Sequence, residues 1–337
     1  MRTIRHIGEA LSTPALIRAT EHRYLLRFES MKVASARAAL AAAIDSGRVQ
    51  PGGRVIDSSS GIYAYALALA CHERGVHCRI IGSTTIDETL RLQLLALGVE
   101  LEQMPSSQSL KLDQDRRVRR VTELLAEDPD LHWMRQYHDP VHYLGYREIA
   151  RTVAAELTDA GIRSIRLVAP VGSGVSSGAL RLGLEDSGLS VQLVGVQPFG
   201  SITFGSQHVD DPDMLIAGIG SSITFDNVRH GLYDVIHWVS FEVARTGTHD
   251  LLREYALFAG LSSGAGHAVA GHEDDEPDVA PVDATVQVLP DTGHRYARAL
   301  ATAPSTGPRP RPLTVTRPED VELPWSRMRW AGRPAPA

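Results

Sequence analysis

The chain has 337 residues, 43% of them apolar and 22% charged, with a net charge of −6. That length allows about two domains with substantial cores, and the acidic balance argues against a dedicated nucleic-acid surface. Two cysteines, Cys71 and Cys78, make neither a disulfide framework nor a zinc ligand set and fit a reducing compartment.

The first residues include Arg2, Arg5, His6 and Glu9 without an apolar signal-peptide core, and no later run approaches about 18 apolar residues. A cytoplasmic protein with no membrane partner and no nucleic-acid partner is therefore expected. Residues 35–46 (SARAALAAAIDS) are Ala-rich and stop at Gly47, which reads as a helix. A strand over 54-RVIDS-58 leads into a helix over 62–74, and 77-HCRIIG-82 reads as the next strand. In 85-TIDE-88, Thr85 and Glu88 form a capping box that opens a helix to Leu97. Gly98, a strand over 99–104 and a helix over about 112–126 follow. The cluster 116-RRVRR-120 reads as a solvated helix face, with Asp113/Arg117 and Asp115/Arg119 at i,i+4 spacing.

After 131-LHWMRQYH-138 the pattern restarts. Ile149, Val153 and Leu157 mark one helix face, strand 165-IRLVAP-170 enters a Gly/Ser loop, and a helix near 176–186 leads to strand 191–198. The acidic run 273-EDDEP-277 reads as a solvated loop, and 286–290 as a late strand. From Pro304 the prolines are frequent enough to predict an extended strap or partial disorder. Strands alternating with helices predict parallel sheets covered by helices, an α/β fold.

Four polar stretches lie at strand or helix ends. In 170-PVGSGVSSGAL-180 a strand ends, a Gly/Ser loop follows and a helix begins, which suits a backbone cradle for phosphate; a tight βα turn is the bland alternative. No lysine follows the glycines, so this is not a P-loop. In 55-VIDSSSGIYAYALALA-70 the hydroxyls and free N–H groups stand where α/β sheets bind ligands and would suit a carboxylate; an N-cap serine and a turn glycine would look the same. The others are 259-AGLSSGAGHA-268 and 289-LPDTGHRY-296. His138 and His142, and the group Cys71, His72, His77 and Cys78, are spaced suggestively for metal, but Pro140 breaks the first pair, and no metal site is expected.

Taken in order, these stretches resemble the fold-type II pyridoxal phosphate enzymes, whose fold is tryptophan synthase β-like, and most closely the cysteine synthase and cystathionine β-synthase group. The resemblance runs from about residue 7 to 300 and starts with 12-STPALIRA-19. The family's lysine, about twenty residues before a Pro-Gly, falls on Lys32 ahead of Pro51-Gly52. Its substrate loop falls on Ser59, Ser60, Gly61, Ile62, Tyr63 and Ala64, and its phosphate loop on Gly172, Ser173, Gly174, Val175 and Ser176. The segments 218-GIG-220, 260-GLSSG-264 and 290-PDTGHRY-296 match three further motifs.

The resemblance implies pyridoxal 5'-phosphate between two α/β domains. A smaller domain would span 36–145, a larger one 1–35 and 146–303, with 304–337 a Pro-rich tail. Lys32 would hold the cofactor as a Schiff base and shuttle the proton. Gly172–Ser176 would bind its phosphate, and Ser262 would face the ring nitrogen, with Ser263 the second choice. Ser59, Ser60, Gly61 and the Tyr63 N–H would take the substrate carboxylate. The chain departs from the family at Ile62, which replaces an asparagine that donates to the cofactor's ring oxygen, and at Val175, which replaces a glycine. A neighbouring hydroxyl such as that of Tyr63 would be one substitute donor.

The implied reaction is β-replacement on an O-activated L-serine through an aminoacrylate, with a nucleophile other than sulfide expected from Ile62. β-Elimination, as in serine or threonine dehydratases, is the enzymatic alternative; a binding or sensor protein with a damaged site is the other. The partners expected are a small amino-acid substrate, the nucleophile and a second copy of the chain as a homodimer.

Overall fold

The computed structural model describes residues 3–59, 61–84, 86–105, 110–212, 218–276, 280–301 and 310–330, except for the side chains of 110 and 111. Along the chain, α1 (Ile7–Leu11), β1 (Ala15–Arg18) and β2 (Arg23–Arg27) precede α2 (Lys32–Asp45). Then come β3 (Arg54–Ser58), α3 (Ile62–Arg74), β4 (His77–Ser83), α4 (Glu88–Ala96), β5 (Glu100–Met104), α5 (Leu110–Glu127) and β6 (Leu131–Trp133). Next are α6 (Arg147–Asp159), β7 (Ser164–Pro170), α7 (Val175–Asp186), β8 (Ser190–Pro198), β9 (Val235–Val239), α8 (Phe241–Tyr255) and α9 (Leu261–Asp275). The chain continues through β10 (Ala284–Leu289), α10 (Ala297–Leu300), β11 (Leu313–Val315) and β12 (Trp325–Arg329).

Two compact units result, Met1–Thr13 with Ser30–Gly145, and Pro14–Glu29 with Tyr146–Ala337. The first carries a four-stranded, wholly parallel sheet in the order β5-β4-β3-β6. Its core is the Ala/Leu face of α2 and α3 with Val55, Ile80 and Leu94. The second carries an eight-stranded sheet in the order β1-β2-β10-β7-β8-β9-β12-β11. The run from β2 to β9 is parallel, and β1 and β12 join their inner neighbours antiparallel. β9 and β10 are buried at every position, as expected of parallel strands covered on both faces. On α6 the buried residues are Ala150, Val153, Ala154 and Leu157, a single stripe.

Five sequence expectations need correction. Residues 1–13 and 30–35 belong with the smaller unit: the Arg37 guanidinium on α2 donates to Glu73 on α3 (2.6 and 2.7 Å) and to Ser12 Oγ (3.0 Å) at the end of α1. Of the two forms expected for the Pro-rich tail, partial disorder does not hold over 325–329, which is an extended strand. β12 pairs with β9, with Trp325, Met328 and Trp330 buried as anchors. Helix α4 is capped by Asp87, whose carboxylate accepts from Leu90 N at 2.8 Å; Thr85 lies outside the described residues. Arg117 is buried rather than solvated, and that burial pulls its pKa down. Finally, Glu273 is buried on α9, not in a solvated loop, because it accepts from Arg327 (2.6 Å) and from His237 (3.1 Å).

Candidate active site

In the smaller unit β4 and β5 extend to one side of β3 and β6 lies on the other. The carboxyl ends of β3 and β6 therefore flank a topological switch point, where open α/β sheets leave a crevice for ligands. The Ser58–Gly61 loop leaves β3 there. Ser59 is buried and its N–H donates to Ile81 O at 3.2 Å; Gly61 caps α3 and donates to Ser59 Oγ at 3.4 Å; Ser60 lies outside the described residues. Ile62 is the first residue of α3 and is half-buried. At the start of α3 the N–H groups of Ile62 and Tyr63 have no partner within their own helix, while Ala64 N donates to the capping Gly61 O at 3.0 Å.

The Tyr63 side chain takes another direction. Its ring is buried against His142, with centroids 5.6 Å apart, and its hydroxyl is enclosed in the core near Asp57, Cys71 and Cys78. Burial pushes the phenol pKa well up. The expected use of this hydroxyl as a substitute donor is therefore withdrawn; only the backbone N–H stands at the loop. His142 itself donates from Nε2 to Met134 O at 2.9 Å and is a core residue whose pKa burial lowers. Lys32 opens α2 in the same unit.

Two residues that the sequence reading passed over complete this region. Asp57 is buried near the end of β3 and accepts from Ser58 N (2.8 Å), Trp133 Nε1 (3.1 Å) and Gln136 N (3.1 Å). Gln136, also buried, donates from Nε2 to Ser58 O at 3.4 Å. Desolvation is the largest influence on Asp57 and raises its pKa to about 6, against the three N–H donors that favour the charge. The available signal was an acidic residue inside an apolar strand directly before Ser-Ser-Ser-Gly.

In the larger unit the switch point falls between β7 and β10, because β8 and β9 continue to one side of β7. The Gly172–Ser176 segment leaves β7 there and becomes α7. Gly174 caps α7 at φ 78, and a Cβ on it would sit 2.6 Å from Asn227 O. A Cβ on Gly172 would sit 2.3 Å from Gly218 O, so the 218-GIG-220 segment packs against the loop. Val175 turns inward and is buried, while Ser173 and Ser176 stay half-exposed. The first intrahelical bond is Gly178 N to Gly174 O, which leaves the N–H groups of Val175, Ser176 and Ser177 ahead of the ladder.

The last two motifs meet in the same unit. Gly260 N donates to Asp291 O at 3.1 Å, Gly293 N donates to Phe258 O at 2.9 Å, and the Tyr296 hydroxyl donates to Asp291 Oδ2 at 3.1 Å. Ser262 and Ser263 occupy the first turn of α9; both are buried, and Ser263 Oγ makes no hydrogen bond among the described residues.

The family described as pyridoxal-phosphate dependent enzyme matches residues 22–291. The chain belongs to that family. N-(2-amino-2-carboxyethyl)-L-glutamate synthase of Ralstonia nicotianae is 32% identical over 275 residues, 79% of this chain and 77% of that protein. The protein of the same description from Cupriavidus metallidurans is 30% identical over 83% of this chain and 77% of its own length. Cysteine synthase of Haemophilus influenzae is 28% identical over 74% and 79%. Among solved structures, an O-ureido-L-serine synthase superposes with a TM-score of 0.74 at 21% identity, covering 88% of this chain and 94% of that one, which is likeness of fold alone.

This member of the family is therefore a pyridoxal-phosphate dependent enzyme of the cysteine synthase type, and its reaction is β-replacement. The binding-or-sensor reading is set aside. No helix among the described residues is long and apolar enough to cross a membrane. The donor set suits the cofactor: helix-start N–H groups ahead of the ladder and two half-exposed serine hydroxyls for a phosphate, and, for a ring polar atom, the buried hydroxyl of Ser262 or the unpartnered Ser263 Oγ next to it.

Proposed function

We propose that this enzyme joins the β-carbon of an O-activated L-serine to the amino group of an amino acid, L-glutamate being the first candidate, in place of sulfide. The observation that carries this is Ile62. It opens α3 at the switch-point loop and remains half-exposed, so an apolar branched side chain stands where the cysteine synthase pattern has an amide. Such a side chain cannot donate a hydrogen bond, and it narrows and dries the volume where a small anion would be held. The two relatives named for a glutamate product, at 30% and 32% identity, support the same reading.

Bound pyridoxal phosphate supplies an aldehyde for an amine and an electron sink that acidifies the substrate's Cα–H. In our reading Lys32 holds that aldehyde at rest and carries the Cα proton afterwards. The Ser59, Ser60 and Gly61 loop and the Tyr63 N–H bind the substrate carboxylate. The Gly172–Ser176 segment binds phosphate through N–H groups and the Ser173 and Ser176 hydroxyls, and Val175 packs beneath. Ser262 donates to the ring nitrogen. A serine, unlike an aspartate, does not stabilise a protonated ring, which favours chemistry at Cβ over transamination. A cytoplasmic homodimer accompanies this reading and is checked by light scattering.

The test is a competition. Cofactor-loaded protein receives O-acetyl-L-serine or O-phospho-L-serine with sulfide, L-glutamate, L-aspartate or a diamine, and products are weighed by mass spectrometry. A glutamate adduct as the preferred product is expected. Sulfide giving the highest kcat/KM, with Ile62→Asn leaving the ranking unchanged, would overturn the proposal; pyruvate as sole product would indicate elimination.

A further inference from the structure

We propose that Asp57 is a positioning residue that locks the substrate-carboxylate loop to the Gln136 turn and so sets the affinity for the amino-acid donor. This rests on the reading of residues 59–63 as that loop. It is independent of which nucleophile follows.

The geometry is confined to the smaller unit. Asp57 lies near the end of β3, and its two oxygens bridge the two sides of the switch point. Oδ1 accepts from Ser58 N at 2.8 Å, where the chain enters the loop, and from Trp133 Nε1 at 3.1 Å, at the end of β6. Oδ2 accepts from Gln136 N at 3.1 Å, three residues beyond β6. Gln136 then returns the link by donating from Nε2 to Ser58 O at 3.4 Å. A closed circuit joins the loop after β3 with the turn after β6. Each donor is an N–H, and a carboxylate serves all three with two acceptor-only oxygens. Protonation turns one oxygen into a hydroxyl, a weaker acceptor whose own proton competes with the N–H donor there; an asparagine presents NH2 to one of them.

The groups facing Asp57 do not offset its charge. They are the Tyr63 hydroxyl from α3, Cys78 from β4, and Tyr137 and His138 from the segment after β6; among these His138 alone favours the ionised form. Burial therefore dominates and the carboxyl titrates at about 6. The sign follows. As pH falls through that value Asp57 takes up a proton, one bond of the circuit opens, and the loop loses its fixed relation to Gln136. The donor should then bind more weakly on the acid side.

The experiment is a spectral titration of cofactor-loaded protein with O-acetyl-L-serine and O-phospho-L-serine from pH 5 to pH 8, roughly spanning the Asp57 transition. Wild type and Ser59→Ala come first: a spectral response to either donor that Ser59→Ala weakens supports the loop reading, and a response that Ser59→Ala leaves unchanged would defeat that reading rather than the role of Asp57. Asp57→Asn is then expected to raise the donor dissociation constant and KM about tenfold or more with kcat within about threefold. Its cofactor affinity should stay unchanged, and the acid-side weakening near pH 6 seen in wild type should vanish. Should Asp57→Asn fail to fold, Trp133→Phe removes one donor and should give a smaller rise of the same kind. A variant with wild-type donor affinity and a lower melting temperature would reduce Asp57 to a stabilising role and overturn the proposal, as would an acid-side break that survives the substitution.

Discussion

Lys32 and Lys111 are the chain's two lysines, which makes the covalent anchor unusually easy to test. Borohydride reduction of the cofactor-loaded protein followed by peptide mapping is expected to place the pyridoxyl mass on Lys32, and a label on Lys111 would sink the assignment. At the proposed phosphate cradle, Ser176→Asp puts a negative charge beside the helix start. A loss of about a hundredfold or more in cofactor affinity is expected, near 2.7 kcal/mol; unchanged affinity would move the phosphate elsewhere. Away from the site, Trp325 Nε1 donates to His237 Nδ1 at 2.9 Å, so the His237 proton sits on Nε2 and is given to Glu273. Burial lowers the His237 pKa to about 4, while its partners His237 and Arg327 draw Glu273 down to about 2 against desolvation. Both shifts make the folded state bind protons less readily than the unfolded chain. Stability from His237 is lost as pH falls from 6.5 through about 4, and stability from Glu273 as pH falls from 4.5 through about 2. Glu273→Gln should cost about 3 kcal/mol near neutrality and flatten the melting temperature between pH 4.5 and about 2; an unaltered acid slope would place the acid-labile group elsewhere.

At the scale of elements, α9 shows what hydrophobic spacing conveys and what it leaves out. Its Ser/Gly-rich start stands out locally because hydroxyls and glycines have little other reason to open an apolar helix, and we propose it as ligand-facing. Its acidic end was misread, because the partners of Glu273 sit on β9 and β12, distant in sequence. The helix is held by close backbone approach to α8: a Cβ on Gly264 would lie 2.2 Å from Ala244 O and 2.4 Å from Thr248 N. Neither backbone atom can yield without shifting a helix. Gly264→Ala is therefore expected to destabilise by about 2–3 kcal/mol and, since Ser262 and Ser263 lie within two residues, to weaken cofactor binding as well. Equal melting temperatures and equal cofactor affinity for the variant and wild type would show that α8 and α9 have slack at this contact. Asp57 was missed for a related reason. An aspartate before three serines reads locally as turn chemistry, and only the parallel pairing of β3 with β6 brings Trp133 and Gln136 to it.

At the scale of the molecule, the strand-helix alternation announced parallel sheets, and ordered motifs announced the family, because both are written in short segments with strong periodicity or unusual composition. What resisted reading was the completion of the larger sheet by residues far along the chain. β9 carries a histidine in its centre, and β12 follows a proline-rich stretch whose composition points away from order. The two are bound by antiparallel pairing, by Trp325 to His237 and by Arg327 to Glu273. A chain ending at Leu300 would leave β9 as a bare edge and expose the faces covered by Trp325, Met328 and Trp330. Each such side chain contributes about 1.5–3 kcal/mol on burial, and the buried Glu273 carboxylate would lose its Arg327 partner, keeping only His237 and the more distant Arg166. The sum is several kcal/mol, enough to lower the melting temperature of a unit this size by more than about 10 °C. Truncation at Leu300 is therefore expected to give protein that is largely insoluble, or that melts early by circular dichroism and retains cofactor poorly. A truncated chain that melts with the full-length protein and holds pyridoxal phosphate equally well would show that the larger sheet is complete at β9.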